Sequence, residues 1–190
     1  MANRPRAFLD ANVLRGQLTT DVLLTLAHER LFSPRWSQEV LAEVKRNRPD
    51  GVSEAKIDAR FDQMNKVFPA AMTSGYERLM PEMQADEKDK HVLAAAVHSK
   101  STVLVTENTK DFDPPSSGSN AMKVERTSAF LNRLLTESPD RVTSAMNKMV
   151  DRKREVADVL PEDADRRIVP DGPALFGPDG TRRSEEPRDD

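Results

Sequence analysis

Apolar residues recur along this chain in two rhythms. Ala7-Phe8-Leu9 and Val103-Leu104-Val105 are unbroken runs of strand length, whereas longer stretches repeat apolar residues at helical spacing. The first run predicts a buried strand over Ala7–Asp10, with Asn12 and Gly16 in the turn beyond it. Val22, Leu23, Leu26, Ala27 and Leu31 then form a helical stripe, which Thr19 or Thr20 is placed to cap. Phe32 to Arg35, with Pro34 inside it, reads as a brief extended link. Ser37 caps a second helix carrying Val40, Leu41 and Val44, closed by the basic run Lys45-Arg46-Asn47-Arg48 before Pro49. A third helix runs from Ser53 to Phe68 on the stripe Ile57, Phe61, Met64 and Phe68, and Pro69 stops it.

The second half repeats the alternation. Ala70 to Thr73 is a weak strand and Tyr76 to Met83 an ill-defined connection. Asp89 to Ser99 is an alanine-rich helix, followed by the strand Thr102–Val105, loop composition over Pro114–Asn120, an edge strand at Met122–Val124 and a helix over Thr127–Thr136. Strands alternating with helices predict a three-layer α/β/α domain around a central parallel sheet of four to five strands. Beyond Pro139 a lone long helix is expected, striped by Val142, Met146, Met149, Val156 and Leu160. From Pro161 the chain turns charged and rich in proline and glycine, which reads as a tail, disordered or docked on a partner. The expected organisation is a domain over 1–137, a helical extension over 138–160 and the tail over 161–190.

Composition narrows the chemistry. With 37% hydrophobic and 32% charged residues, the 190-residue chain supports one core under a heavily charged surface. A net charge of −3 argues against holding nucleic acid by bulk charge, yet leaves room for an acidic pocket with a basic rim. No cysteine is present, which removes disulfides, thiolate zinc sites and cysteine nucleophiles and fits a reducing cytoplasm. The start lacks the apolar run of a signal peptide, and no segment approaches the roughly 18 apolar residues of a membrane span. A soluble cytoplasmic protein is the expectation.

Both strong strands end in polar residues, Asp10 after the first and Thr106-Glu107-Asn108 after the second, with Asp111 close by. Asp89 opens the helix between them, and Glu43 sits on the second helix. Oxygen ligands converging on the carboxyl edge of a parallel sheet suit a hard cation such as Mg²⁺ or Mn²⁺. A pair of such ions about 3.5–4 Å apart supports phosphodiester cleavage. Acids are common here, 32 of 190 residues, so Glu43 alone is more often a solvated helix residue and Asp89 alone a helix-dipole partner. Asp10 is less ordinary, because acids are depleted in buried strands.

Phe8-Leu9-Asp10-Ala11-Asn12-Val13-Leu14, Trp36 to Val44, Asp89-Lys90-His91-Val92-Leu93-Ala94-Ala95-Ala96 and Val105 to Phe112 together resemble the motifs of PIN-domain ribonucleases, the family that includes VapC toxins of bacterial toxin–antitoxin pairs. The resemblance runs over residues 5 to 135, and the Trp-Ser and Asp-x-His forms resemble a subgroup with extra C-terminal helices. It implies an Mg²⁺- or Mn²⁺-dependent endoribonuclease in which a metal-activated water attacks RNA, with transfer or ribosomal RNA as target and an antitoxin as partner. Asp10, Glu43 and Asp89 would be the catalytic acids, joined by Asp111 as a metal ligand, with Asn12, Thr106 and Asn108 in support. Many PIN enzymes carry Thr-x-Asp where this chain has Thr106-Glu107-Asn108, so the fourth position brings no charge. Asn108 keeps alive an alternative, a PIN-like module that binds RNA or protein without cutting.

Arg46, Arg48 and Lys110 are candidate phosphate contacts, although a solvated surface is the commoner role of each. His91 lies two residues from Asp89 and so faces another direction on a helix, which favours a core or surface role. Trp36 and Tyr76 have the chemistry to stack on bases, but the domain needs most of its aromatics as core. The Met146 and Met149 stripe is more often packing than a groove for an antitoxin or a second copy in a homodimer. A haloacid-dehalogenase-type phosphatase needs an acid where Asn12 stands, and Rossmann or Walker nucleotide sites need clustered glycines that this chain lacks.

Overall fold

The structure, a computed structural model, describes residues 4–159. The tail expected over 161–190 and Leu160 of the last stripe lie outside the described residues, as does the Val156 side chain. Two units divide the chain, Met1–Arg152 and Lys153–Asp190.

Five strands, β1 (Arg6–Leu9), β2 (Ser33–Ser37), β3 (Met72–Thr73), β4 (Val103–Val105) and β5 (Lys123–Glu125), form one sheet in the order β3-β2-β1-β4-β5. Every pair is parallel, as the alternating pattern predicts. Helices α1 (Ala11–Leu14), α2 (Gln17–His28), α3 (Gln38–Arg46), α4 (Glu54–Val67), α5 (Lys90–His98), α6 (Thr127–Glu137) and α7 (Pro139–Val159) complete the fold. The chain steps from β1 outward to β3, then returns to place β4 on the other side of β1. Right-handed crossovers in opposite directions put helices on both faces, giving the expected three layers. The reversal also opens a crevice at the carboxyl ends of β1 and β4, where open α/β sheets place their sites.

Phe8, Leu9, Leu104 and Val105 are fully buried, and the Ala94-Ala95-Ala96 run of α5 is buried equally. Small side chains on α5 let the helix lie close over the sheet, and the helix touches β1, β2 and β4. Trp36 is buried, donates from Nε1 to Asn65 Oδ1 at 3.0 Å and meets the Phe68 ring edge-on, so it belongs to the core. Tyr76 is buried too. Val142 and Ala145 of α7 join the same core and Met146 packs against it, so this part of the stripe is packing.

Three local readings need correction. The link expected at Phe32–Arg35 is instead the start of β2. Pro34 pairs with Ala7 of β1 on one side and is tolerated because β3, on the other side, pairs only with Trp36 and Ser37, so no strand there needs its missing N–H. Asn12 lies in the short helix α1, whose N-cap is Asp10, rather than in an open turn. Neither Thr19 nor Thr20 caps α2: Gly16 is the N-cap, and Thr20 Oγ1 donates back to the carbonyls of Leu14 at 3.0 Å and Gly16 at 2.8 Å. Ser37 caps α3 as expected, through a bond from the Val40 N–H, and Ser53 caps α4 through one from the Lys56 N–H.

Candidate active site at the carboxyl edge of the sheet

Asp10 leaves the end of β1 buried, and its backbone N–H continues the ladder to the Val105 carbonyl at 3.1 Å. Its carboxylate is tightly held. Oδ1 accepts from the Ala11 N–H at 2.6 Å, and Oδ2 accepts from Thr106 Oγ1 at 2.7 Å and Asn12 Nδ2 at 2.9 Å. Asn12 also donates to Thr106 Oγ1 at 3.1 Å and accepts from the Glu107 N–H at 3.2 Å. One network therefore ties the end of β1 to the end of β4. Burial still dominates and pushes the Asp10 carboxyl above its ordinary value, against these hydrogen bonds.

Glu43 arrives from α3 and Asp89 from the turn before α5. Both carboxyls are also raised, first by burial, and each is pushed further by the charge of Asp10, Glu43 feeling Asp89 as well. Three carboxylates from distant parts of the chain thus share one electrostatic neighbourhood. Glu39 instead pairs with Arg46 at 3.1 Å, so Glu43 is the acid of α3 that faces the site.

Asp89 has a second set of neighbours. Asp86, Asp89 and Asp111 each offer an oxygen within 4.8 Å of the others, the one such trio among the described residues. Asp86 is absent from the sequence-predicted set. A short antiparallel link places it: Ala85 bridges Phe112, the Asp86 N–H reaches the Asp111 carbonyl at 3.3 Å and the Asp113 N–H reaches the Gln84 carbonyl at 2.8 Å. Asp89 Oδ2 is buried without a hydrogen-bond partner, and its ion pair with Lys88 is long, at 3.8 Å. An all-oxygen donor set around an orphaned carboxylate oxygen fits a hard divalent cation.

Asn108 is exposed and its N–H donates to Thr106 Oγ1 at 3.1 Å, while its carbonyl accepts from the Asp111 N–H at 3.1 Å. This tight turn delivers Asp111 to Asp89. Glu107 points elsewhere, its Oε1 accepting from the Thr127 N–H at the start of α6 at 3.3 Å. His91 does approach the acids: its Nε2 lies 3.9 Å from Glu43 Oε2, and its Nδ1 is buried unpartnered. The rule that residues two apart diverge on a helix underweighted it, because Asp89 stands before the first turn of α5 rather than within it.

The phosphate candidates separate. Arg48 is committed to structure, donating to the carbonyls of Val52 at 3.1 Å and Lys45 at 3.2 Å and pairing with Glu54 at 3.4 Å. Arg46 is tied to Glu39, and Lys110 stands exposed beside Asp111.

A doubly covered parallel sheet with acids gathered at its switch point defines an α/β domain with a candidate cation site. The family model described as PIN domain matches residues 6–110, and the chain belongs to the PIN-domain family. That membership supports nuclease activity, and the matched segment carries Asp10, Glu43, Asp86 and Asp89. No curated protein and no solved structure matches the chain. Among the described residues no helix is long and apolar enough to cross a membrane.

Proposed function

We propose that this protein is a metal-dependent endoribonuclease, acting as the VapC-like toxin of a toxin–antitoxin pair in the cytoplasm. One observation carries the reading. Asp89, with an unpartnered buried oxygen, joins the Asp10 and Glu43 pair to the Asp86 and Asp111 pair at the crevice between β1 and β4. Asp10, Glu43 and Asp89, with Asp86 and Asp111, are the residues that would hold Mg²⁺ or Mn²⁺. Bound there, the ion supplies charge neutralisation at the phosphodiester and acidifies the attacking water.

The chain's own groups divide the remaining work. Asp10 is fixed by Thr106, Asn12 and the α1 N-terminus, so its geometry is set before substrate arrives. Glu43 keeps a raised pKa and partial exposure, which suits it to accept the proton of the attacking water. Asp86 and Asp111 provide the charge that Asn108 lacks, which favours cleavage over a binding-only module. Lys110 is the remaining exposed phosphate contact. The division into a nuclease domain over 1–137, an extension over 138–160 and a tail over 161–190 is part of the same proposal, with the antitoxin or a second copy as partner.

Sequencing RNA ends after brief induction of wild-type and Asp10→Asn protein tests this reading. New ends at defined transfer or ribosomal RNA positions with the wild type alone are expected, and identical end profiles would overturn it.

A further inference from the structure

The acids gather at the carboxyl edge of the sheet, and cations gather at the opposite edge. Arg4 and Arg6 lie at the entry to β1, and Arg35 of β2 stands in register with Phe8. Arg4 and Arg35 line a surface depression whose floor includes Phe32, Pro34, Phe68 and Ala71. Among the described residues no carboxylate pairs with Arg4, Arg6 or Arg35. The acceptors they do find are backbone carbonyls, Pro34 for Arg35 Nη1 at 2.8 Å and Ser99 for Arg6 Nη1 at 3.3 Å. Lys45, Arg48, Arg133 and Lys148, by contrast, each face a carboxylate. Arg35 is half-buried, and burial followed by repulsion from Arg6 and Arg4 holds its guanidinium below the ordinary range.

Like charges held together over an apolar floor cost free energy unless an anion joins them. Guanidinium forks match phosphate oxygens, and the partly exposed Phe68 in the same lining suits the base or ribose attached to that phosphate. We propose that this depression at the amino-terminal edge of β1 and β2 is a second, non-catalytic site for a phosphate-bearing ligand, held by Arg35 with Arg4 and Arg6. The phosphate belongs either to a free nucleotide or to an RNA strand, and only the second source rests on the ribonuclease reading. The lining of this depression includes none of Asp10, Glu43, Asp86, Asp89 and Asp111, and Arg6 stands four residues before Asp10, about 13 Å along the strand.

The test is equilibrium binding to the full chain in EDTA, with AMP and a short 5′-labelled RNA as probes, for wild type, Arg35→Gln and Arg4→Gln. Arg35→Gln is expected to weaken binding about tenfold and lower the salt slope for RNA by about one. Arg4→Gln, on an exposed residue that the fold does not need, shifts affinity the same way by less. Parallel loss of AMP and RNA binding assigns the site to free nucleotide, and loss of RNA binding alone assigns it to a strand. Unchanged affinity for both probes in both variants overturns the site. Chelation keeps this result independent of cleavage, so a wild-type protein that binds here but never cuts RNA would sink the ribonuclease reading alone.

Discussion

Thr106 Oγ1 donates to Asp10 Oδ2 at 2.7 Å across 96 residues of sequence. That bond is part of the network joining the ends of β1 and β4, and it orients the most buried acid of the site. Thr106 is itself fully buried, so its hydroxyl has no water to replace Asp10. Thr106→Val keeps the shape and removes the donor. We expect a stability loss of about 1–2 kcal/mol in urea denaturation and roughly tenfold lower nuclease activity. Wild-type values for both would show that the bond does not organise the site.

Asp10, Glu43 and Asp89 all have carboxyls raised above their ordinary values, with burial the largest cause in each case. A raised carboxyl favours the folded state only when protonated, so this stabilisation is present below the unfolded values and lost as pH rises through the folded ones. At neutral pH the metal-free protein therefore carries crowded charge. Asp89→Asn removes part of it and should raise the melting temperature in EDTA at pH 7 by about 2–4 °C. Mn²⁺ should raise the wild-type melting temperature and leave the variant nearly unmoved. A variant that melts below wild type in EDTA would contradict this electrostatic picture.

Asp86 shares its ligand neighbourhood with Asp89 and Asp111. Calorimetric titration with Mn²⁺ should therefore show about tenfold weaker binding for Asp86→Asn, similar to Asp111→Asn. Asn108→Asp adds charge at the same turn and is expected to tighten binding. Unchanged affinity in Asp86→Asn would leave Asp111 without its partner, and unchanged affinity in Asn108→Asp would place that side chain outside the site.

Arg48 donates to the carbonyls of Lys45 in α3 and Val52 in the following loop, so Arg48→Ala should cost about 1 kcal/mol of stability with RNA cleavage intact. Lys110→Ala should do the reverse, leaving denaturation unchanged while lowering the salt slope of RNA binding by about one. A cleavage defect in Arg48→Ala at full stability would return that residue to the RNA path.

Local signals made much of the fold readable. Continuous apolar runs marked β1 and β4, and helical stripes marked α3 and α4, the first with Ser37 as its cap. Pro34 misled the reading of β2, because its tolerance depends on how far β3 extends along that strand. The site divides the same way. Glu43 stands on α3, and Asp10 and Asp89 stand at the N-caps of α1 and α5, so their convergence follows from the order of regular elements. Asp86 rides on an irregular segment whose bridge to Phe112 has no periodic signature, so its nearness to Asp111 emerges only from the folded chain. The spacing Asp86-x-x-Asp89 was the one available hint. The unpaired arginines were invisible for a different reason, since an unmet charge is a property of neighbours and not of the residue.

The most direct test of the central claim is the cleavage rate of a structured RNA by purified wild-type and Asp10→Asn protein, with Mn²⁺ and with chelator. The site described here predicts cutting by the wild type with metal, and a loss of about a hundredfold or more on chelation or in Asp10→Asn. Cutting by Asp10→Asn at the wild-type rate would contradict it.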